Sequence, residues 1–331
     1  MPAGVFAAGA GIALSGLAPT YLLTFAAIVL SGIGVAAFHP EAARHANYAS
    51  GAAKAQGMSL FALGGNAGFA LGPVLTTAAV LAVGLSGTLL VALLPLTAAT
   101  TLLVKRARLG AVRDRGRRAA EDAAEPQVDR WGPFARLTGV ISLRSCVHFG
   151  LLSFVPVWFV TTLDTSEAAG NAALTAMLAS GAAGTLIGGR VADRVGRRTI
   201  LLACTALTAP VMAAFIAAPI VPAFLLIAVV GFTVVGTFSI TVVLGQEYLP
   251  NRLGMASGVT LGAAIGVGGA LAPALGALAD AQGIEATMWV IAAVPLAALA
   301  LALTLPADGR LRLAGQVPKT RSPASPSPGR M

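Results

Sequence analysis

Long apolar segments dominate the chain, and short polar connections separate them. The segments run for far more residues than a strand does, and their connections are rich in Gly, Pro, Asp and Ser. The pattern predicts ten apolar helices, near residues 3–18, 20–40, 56–81, 86–104, 134–162, 170–189, 199–217, 220–245, 253–279 and 286–305. A bilayer core takes about 20 helical residues to cross, and only the first segment is clearly short of that length.

Two polar stretches divide this series of helices. Residues 105–133 separate the first four helices from the last six, and residues 306–331 combine Pro, Ser and charge. We therefore predict an incomplete N-terminal half-bundle of four helices at 1–104 and a cytoplasmic linker at 105–133. A C-terminal six-helix bundle at 134–305 and a disordered cytoplasmic tail at 306–331 follow.

The composition makes lipid the expected solvent. Of the 331 residues, 56% are hydrophobic and 11% charged, with a mean hydropathy of +0.83, whereas a soluble domain carries about 25% charged residues. Cys146 and Cys204 both lie in apolar segments, which argues against a disulfide framework. The N-terminus has no basic stretch, which argues against a cleaved signal peptide. The prediction is an all-α polytopic membrane protein.

The net charge of +9 reports topology rather than nucleic-acid binding. Lys and Arg concentrate in alternate connections, whereas the intervening ones, such as "LDTSEAAGN" and "DAQGIEA", contain neither. Basic connections face the cytoplasm in multi-pass membrane proteins. We expect a bacterial inner-membrane protein with both termini in the cytoplasm.

The chain contains an internal repeat. Residues 57–75 resemble residues 254–275, and an offset of 200 aligns Gly68 with Gly268 and Pro73 with Pro273. Parallel repeats of six helices resemble the plan of the major facilitator superfamily. Under that resemblance residues 134–200 have no counterpart in the first half, so about ten of twelve expected helices are present and the first two are missing.

The sequence "GGRVADRVGRR" at 188–198 is similar to that superfamily's cytoplasmic loop signature. Its glycines allow close helix approach, its carboxylate can bind a helix N-terminus or an arginine, and its arginines can hold helix ends. We predict a latch that stabilises one access state, with a basic loop that only sets topology as the alternative. The residues concerned are Gly189, Asp193, Arg194, Gly196, Arg197 and Arg198.

Glycines recur at helical spacing in both copies of the repeat. In lipid, small residues on one face let helices pack closely, so we predict helix-packing roles for them. A Gly- and Pro-rich segment of this kind also resembles the antiporter signature of the superfamily. The residues are Gly65, Gly68, Gly72, Pro73, Gly258, Gly262, Gly266 and Gly269.

Rare charges gather in "AAFHPEAARHANYAS", residues 36–50. His39, Glu41 and Arg44 are candidates for proton coupling or a gate, because His and Glu titrate and a helix end can shift their pKa. In the alternative interpretation Pro40 occupies the first turn of a new short helix and Glu41 favours its N-terminus.

Two sequences carry a narrower resemblance. "LSGIGVAAFHPEAARHA" followed by "AQGMSLFALGGNAGFALGPVL" is similar to the fosmidomycin-resistance family of major facilitator antiporters, and "LRSCVHFGLLSFVPVWFV" is similar to that family's seventh helix. The resemblance extends over nearly the whole chain. It implies proton-driven efflux of small molecules, with the anionic phosphonate fosmidomycin as the namesake substrate and antibiotic resistance as the outcome.

Arg144 lies deep in an apolar segment, where a charge is costly and needs a cavity or a partner. With His148 one turn later it forms a candidate site for an anionic substrate, and Asn66 is a further cavity-lining candidate. The alternative is an Arg that reaches the interface or pairs with a carboxylate. Trp158 is expected in the outer aromatic belt.

No motif of an enzyme, metal site or cofactor site is present in the sequence, so we expect a monomeric secondary transporter with lipid, protons and a small molecule as its partners. The alternative is a truncated, inactive fragment, or a full-length transporter of another substrate whose start codon is misassigned.

The charge pattern predicts which loops are accessible from outside the cell. Cysteines at Asp164 or Glu167 should react with an impermeant thiol reagent in intact cells, because their connection is free of Lys and Arg. A cysteine at Asp114 should react only after permeabilisation, and its labelling in intact cells would overturn the helix assignment.

Overall fold

The described residues, 1–121 and 128–307 of a computed structural model, form α-helices joined by short turns. The helices are α1 (Pro2–Ser15), α2 (Tyr21–Ala49), α3 (Lys54–Val83), α4 (Thr88–Val104), α5 (Arg106–Glu121), α6 (Trp131–Thr161), α7 (Glu167–Val195), α8 (Arg197–Ile216), α9 (Ile220–Gly236), α10 (Phe238–Tyr248) and α11 (Leu253–Leu303). Short 3₁₀ turns follow α3, at Gly84–Gly87, and α10, at Pro250–Arg252. We call α1–α4 the N-terminal half and α6–α11 the C-terminal half.

The ten predicted apolar helices correspond to these elements, and the all-α prediction is confirmed. Helices α9 and α10 form one span with a break at Thr237, and α11 holds two helices that meet at Gly283, whose φ is 86°. Within the described part, 7 helices are long and apolar enough to cross a membrane, and α1 is a shorter apolar helix.

Two predicted connections are helical. Helix α2 continues through Pro40 to Ala49, so the alternative interpretation, in which a new short helix begins at Pro40, is wrong. Pro40 packs against α11, where a Cβ built on Gly258 would lie 3.4 Å from Pro40 Cγ. This contact supports the helix where proline removes a backbone bond. The predicted linker contains α5, while its residues 122–127 and most of the predicted tail, 308–331, lie outside the described residues.

One side of the bundle carries most of the positive charge. The α2–α3 turn, α5, the α7–α8 turn and the α10–α11 turn all meet there, and we call it the basic side. Helix α5 lies against the end of α2, because Gly116 leaves room for the ring of Tyr48. At the other end of the linker, Asp129 accepts bonds from Asn251 N–H and Arg252 Nε.

The two buried apolar clusters have different functions in the packing. One cluster joins the halves at the basic side, with Ala43 and Met58 from the N-terminal half against Leu137 and Val243 from the C-terminal half. The other is built from C-terminal helices alone, and Trp158 and Phe215 are among its largest members. Among the described side chains, the halves therefore share an apolar core only near the basic side.

The helix boundaries repeat between the halves. Helix α2 ends at Ala49 and α10 at Tyr248, while α3 begins at Lys54 and α11 at Leu253. A glycine with positive φ ends each copy of the long helix, Gly84 at 72° and Gly283 at 86°. These boundaries lie 199 residues apart, as do Asn47 and Gln246, within one residue of the offset that the sequence predicts.

Trp158 does not belong to an outer aromatic belt, contrary to the prediction. Its side chain is 1% exposed, and its ring centroid lies 6.3 Å from that of Phe215. Hydropathy alone could not reveal this, because a lipid-facing and a buried tryptophan fit the same apolar pattern.

We expect Trp158→Ala to destabilise the C-terminal half by about 3–5 kcal/mol, because the change leaves a large cavity in a packed cluster. Thermal unfolding in detergent measures the effect. Trp289→Ala is the matched control, since Trp289 is 45% exposed on the apolar surface. Equal losses of thermal stability in the two variants would contradict the assignment of Trp158 to the core.

Candidate functional site

A carboxylate from the C-terminal half caps a helix of the N-terminal half. Asp193, near the end of α7, accepts hydrogen bonds from the N–H groups of Ala55 (3.2 Å) and Gln56 (3.0 Å) in the first turn of α3. The N-cap residue of α3 is Ala53, which has no side chain that could make these bonds. The unpaired N–H groups and the helix dipole favour a negative charge at this position. Asp193 supplies that charge from the opposite half.

Two glycines of α7 and its turn make this contact sterically feasible. A Cβ on Gly189, one turn before Asp193, would lie 2.0 Å from Ser59 Oγ and 2.8 Å from the Ala55 oxygen. Any larger residue would push α7 away from α3. Gly196 then turns the chain into α8 with a φ of 119°, which side-chain-bearing residues rarely adopt.

Arginines connect Asp193 to neighbouring helices. Arg197 donates from Nη2 to Asp193 Oδ1 at 2.6 Å and from Nη1 to Glu247 Oε1 of α10. Arg198 Nη2 donates to the Leu303 oxygen at the end of α11, at 2.8 Å, while Arg194 is exposed. Of the six predicted latch residues, Asp193 and Gly189 touch α3 of the other half, while Arg197 and Arg198 bind within their own half. The structure adds Glu247 to them.

A buried polar layer lies beside the Asp193 contact. Asn47 of α2 donates to Gln246 of α10 at 2.5 Å, and Gln246 donates to Ser257 of α11 at 2.8 Å. The hydroxyl oxygens of Ser59 and Ser239 lie 3.0 Å apart, again across the halves. Because buried polar groups are costly unless paired, these bonds fix the relative position of the halves at the basic side.

The candidates for proton coupling form a local group on α2. Glu41 Oε1 lies 2.6 Å from Arg44 Nη2 and 3.6 Å from His45 Nδ1. His39 Nδ1 lies 3.1 Å from the Val35 oxygen, within hydrogen-bond distance, and its ring is edge-on to Phe61 of α3. The structure brings Glu41 and Arg44 together and adds His45. His39 lies outside this group, against Val35 and Phe61.

The three predicted substrate residues do not share one site. Arg144 lies inside the C-terminal half, where Nη1 donates to the Val234 oxygen of α9 at 3.2 Å. His148 is one turn away, and its buried Nδ1 has no hydrogen-bond partner among the described residues. Asn66 lies partly exposed on α3, in the other half. Arg144 and His148 therefore lie one turn apart on α6, while Asn66 lies in the other half.

The glycine-rich faces do not make the predicted close contacts. A Cβ built at Gly65, Gly68, Gly72, Gly262, Gly266 or Gly269 meets nothing within 4 Å in the described structure, whereas Gly258 faces Pro40. The side chain of Pro73 lies outside the described residues. Tight helix crossings occur instead between α7 and α9, where Gly184 faces Phe232 and Gly236. Spacing predicts a flat helix face but not the helix that covers it.

The sequence reasoning did not identify Asn47, Ser239, Gln246 or Glu247 as site residues. Their partners are 50 to 199 residues away in the chain, so no local spacing reveals them. One signal was available in "LGQEYLP", where two polar side chains end an apolar run at the repeat position of Asn47. Among the described residues no group of three or more His, Cys, Asp and Glu side chains is placed to hold a metal.

Known proteins match both the sequence and the fold. The Major Facilitator Superfamily profile matches residues 1–260 and 137–329. The "Uncharacterized MFS-type transporter YfnC" of Bacillus subtilis is 31% identical over 318 residues, 94% of this chain and 78% of that protein. The "Fosmidomycin resistance protein" of Escherichia coli is 30% identical over 305 residues, 89% of this chain and 74% of that protein.

A solved structure agrees with these relatives. The transporter FucP, in the outward conformation, superimposes with a TM-score of 0.67 at 14% identity, over 92% of this chain and 82% of FucP. The helical halves, their repeat and the signature around Asp193 fit the same assignment. The chain belongs to the Major Facilitator Superfamily, whose members are membrane transporters of small molecules.

Proposed function

We propose that this protein is a proton-coupled secondary transporter that exports small anionic molecules or drugs by alternating access. The basic side is the cytoplasmic side of a bacterial inner membrane, and the transporter acts as a monomer. The named relative supports a cargo resembling fosmidomycin, and the basic loops support the orientation.

The observation that carries this proposal is the Asp193 contact. The carboxylate reaches Ala55 and Gln56 only while α7 and α3 touch, so these bonds are present in the state closed at the basic side. When the halves separate there, both N–H groups of α3 lose this partner, whereas Arg197 stays with Asp193 in the same half. The contact therefore stabilises one access state relative to the other.

The group on α2 is our proposed site of proton coupling. Glu41 shares its carboxylate between Arg44 and His45, and α2 touches α11 one residue earlier, at Pro40. Protonation of Glu41 would remove its charge from beside Arg44 and weaken that pair. His39 is a second titratable group, two residues before Glu41 in the sequence. A change of charge here acts on the surface where the halves meet.

Arg144 and His148 are the proposed contacts for the negative charge of the cargo. The guanidinium of Arg144 makes no ion pair with a carboxylate among the described residues. A phosphonate or carboxylate could therefore be its counter-ion. Asn66 would add a polar contact from α3 when the halves rearrange.

Asp193→Asn should open the gate at the basic side and slow transport. The amide keeps one acceptor but loses the charge that α3 and Arg197 share, a loss of about 1–2 kcal/mol. We expect the ratio of closed to open protein to fall about tenfold, measured by the reactivity of a cysteine placed at the buried Met58. Fosmidomycin efflux from proteoliposomes measures the transport rate.

Asp280→Asn is the matched control, because it makes the same chemical change at an exposed position. It should leave both measurements unchanged. Normal efflux and normal cysteine protection in Asp193→Asn would contradict the latch and leave the α7–α8 loop only a role in setting membrane topology.

Glu41→Gln and His39→Asn should abolish the response to a proton gradient while cargo exchange survives. The neutral side chains keep the size of the originals but cannot exchange protons. Gradient-driven fosmidomycin transport and counterflow exchange, measured on the same proteoliposomes, separate the two activities. Loss of both activities with normal membrane insertion would assign these residues to helix packing instead of coupling.

A further inference from the structure

The span formed by α9 and α10 is broken at its centre. Helix α9 ends at Gly236, α10 begins at Phe238, and Thr237 lies between them. The last carbonyl groups of a helix have no partner within it, and in lipid such groups must be paired by other parts of the protein. Thr237 supplies one local donor, its N–H to the Val235 oxygen, and other parts of the protein add further hydrogen-bond donors at this turn.

Side chains from two other helices supply these donors. Arg144 of α6 donates to the Val234 oxygen at 3.2 Å, and Thr185 of α7 donates to the Val235 oxygen at 3.2 Å. Thr237 adds its own hydroxyl to the Val234 oxygen at 3.0 Å. The carbonyl groups at the end of α9 thus accept hydrogen bonds from side chains of both α6 and α7.

Arg144 also contacts the helix beyond the break. The centre of its guanidinium lies 5.7 Å from the ring centroid of Phe238, the first residue of α10. This distance suits a cation–π interaction, which strengthens where the charge is removed from water. One side chain therefore binds the last turn of α9 and the first turn of α10.

The surroundings of the guanidinium leave room for movement. A small cavity beside Arg144 is lined by the threonines Thr205, Thr208, Thr233 and Thr237. Each of these hydroxyls donates to a backbone oxygen of its own helix segment, so the cavity offers acceptors to the guanidinium rather than negative charge. Among the described residues no carboxylate pairs with Arg144.

Helix α10 carries the inter-half contacts at its far end. At this end Gln246 accepts a hydrogen bond from Asn47 of the N-terminal half, while the neighbouring Glu247 pairs with Arg197 of α8 in its own half. Ser239, beside the break, meets Ser59 of the N-terminal half. Because Gln246 lies about two and a half turns beyond Thr237, the angle between α10 and α9 sets the position of its contact with Asn47. The break at Thr237 is thus the point from which the closed gate is positioned.

We propose that Arg144 is a positioning residue that fixes the angle between α9 and α10 and so holds the gate at the basic side closed. It acts through the Val234 oxygen and the Phe238 ring. An anionic cargo that bound the guanidinium would remove its contacts with α9 and α10 and so release the break at Thr237. In this respect the inference rests on the proposed function.

The test measures the gate without any cargo. A cysteine replaces the buried Met58 in a protein whose Cys146 and Cys204 are alanine, and the purified chain in nanodiscs reacts with a thiol reagent. We expect Arg144→Met to raise the alkylation rate about tenfold, because a charge-assisted hydrogen bond across the break is lost. Arg144→Lys should restore much of the protection, since a lysine can donate one hydrogen bond and keeps its charge.

Phe238→Leu tests the second contact and remains informative if Arg144→Met fails to insert. It should raise the rate to a smaller extent, and the double variant should react no faster than Arg144→Met, because both changes remove the same restraint. Arg136→Met is the matched control. Arg136 also donates to a helix-end oxygen, that of Thr304 at 2.6 Å, but touches neither α9 nor α10 in the described structure.

Wild-type alkylation rates in Arg144→Met, Arg144→Lys and Phe238→Leu would overturn the proposal. If fosmidomycin binding were lost at the same time, Arg144 would be a cargo contact only. Raised alkylation rates in Arg144→Met and Phe238→Leu support the positioning role of Arg144 at the α9–α10 break. They do so even if neither the parent protein nor any variant transports fosmidomycin. That last result would count against the proposed cargo alone.

Discussion

The closed arrangement of the two halves depends on the unsatisfied start of one helix. Helix α3 begins at Lys54 after an alanine, so its first N–H groups find no partner in their own sequence. In the low dielectric near a membrane, that deficit is costly and attracts a carboxylate. Asp193 satisfies it from the opposite half, and Gly189 makes the approach sterically feasible. A local deficit thereby becomes a contact between halves.

The other contacts of the basic side follow from this approach. Once α7 lies against α3, Ser59 and Ser239 come within 3.0 Å and Asn47 reaches Gln246. Within the C-terminal half, Arg197 pairs with both Asp193 and Glu247. Two carboxylates and one guanidinium share the site, and each side chain is partly buried. Because burial costs each ion its hydration, the stability of these pairs depends more on good geometry than it would at an open surface.

The sequence predicts the parts of this arrangement that depend on local pattern. Apolar length predicted the helices, the spacing of "GGRVADRVGRR" predicted where Asp193 and Arg197 lie, and the repeat predicted equivalent helix boundaries. It could not predict which helix Asp193 caps, because the bonded residues are 137 and 138 positions apart.

Two further failures have the same physical origin. Pro40 indicates a helix start when only its own backbone is considered, yet packing against α11 carries α2 past it. The glycine spacings of α3 and α11 show which residues share a face, but a face does not specify its neighbour. Tertiary contacts decide both cases, and those contacts are not encoded in any short window of sequence.

A small change of angle at Thr237 produces a large displacement at the far end of α10. Eleven residues make a rod of about 16 Å, so a tilt of about 10° at Thr237 moves the far end by about 3 Å. That displacement exceeds the 2.5 Å donor–acceptor distance of the hydrogen bond between Asn47 and Gln246. A rotation small enough to leave the surrounding helices packed is thus large enough to break this contact between the halves.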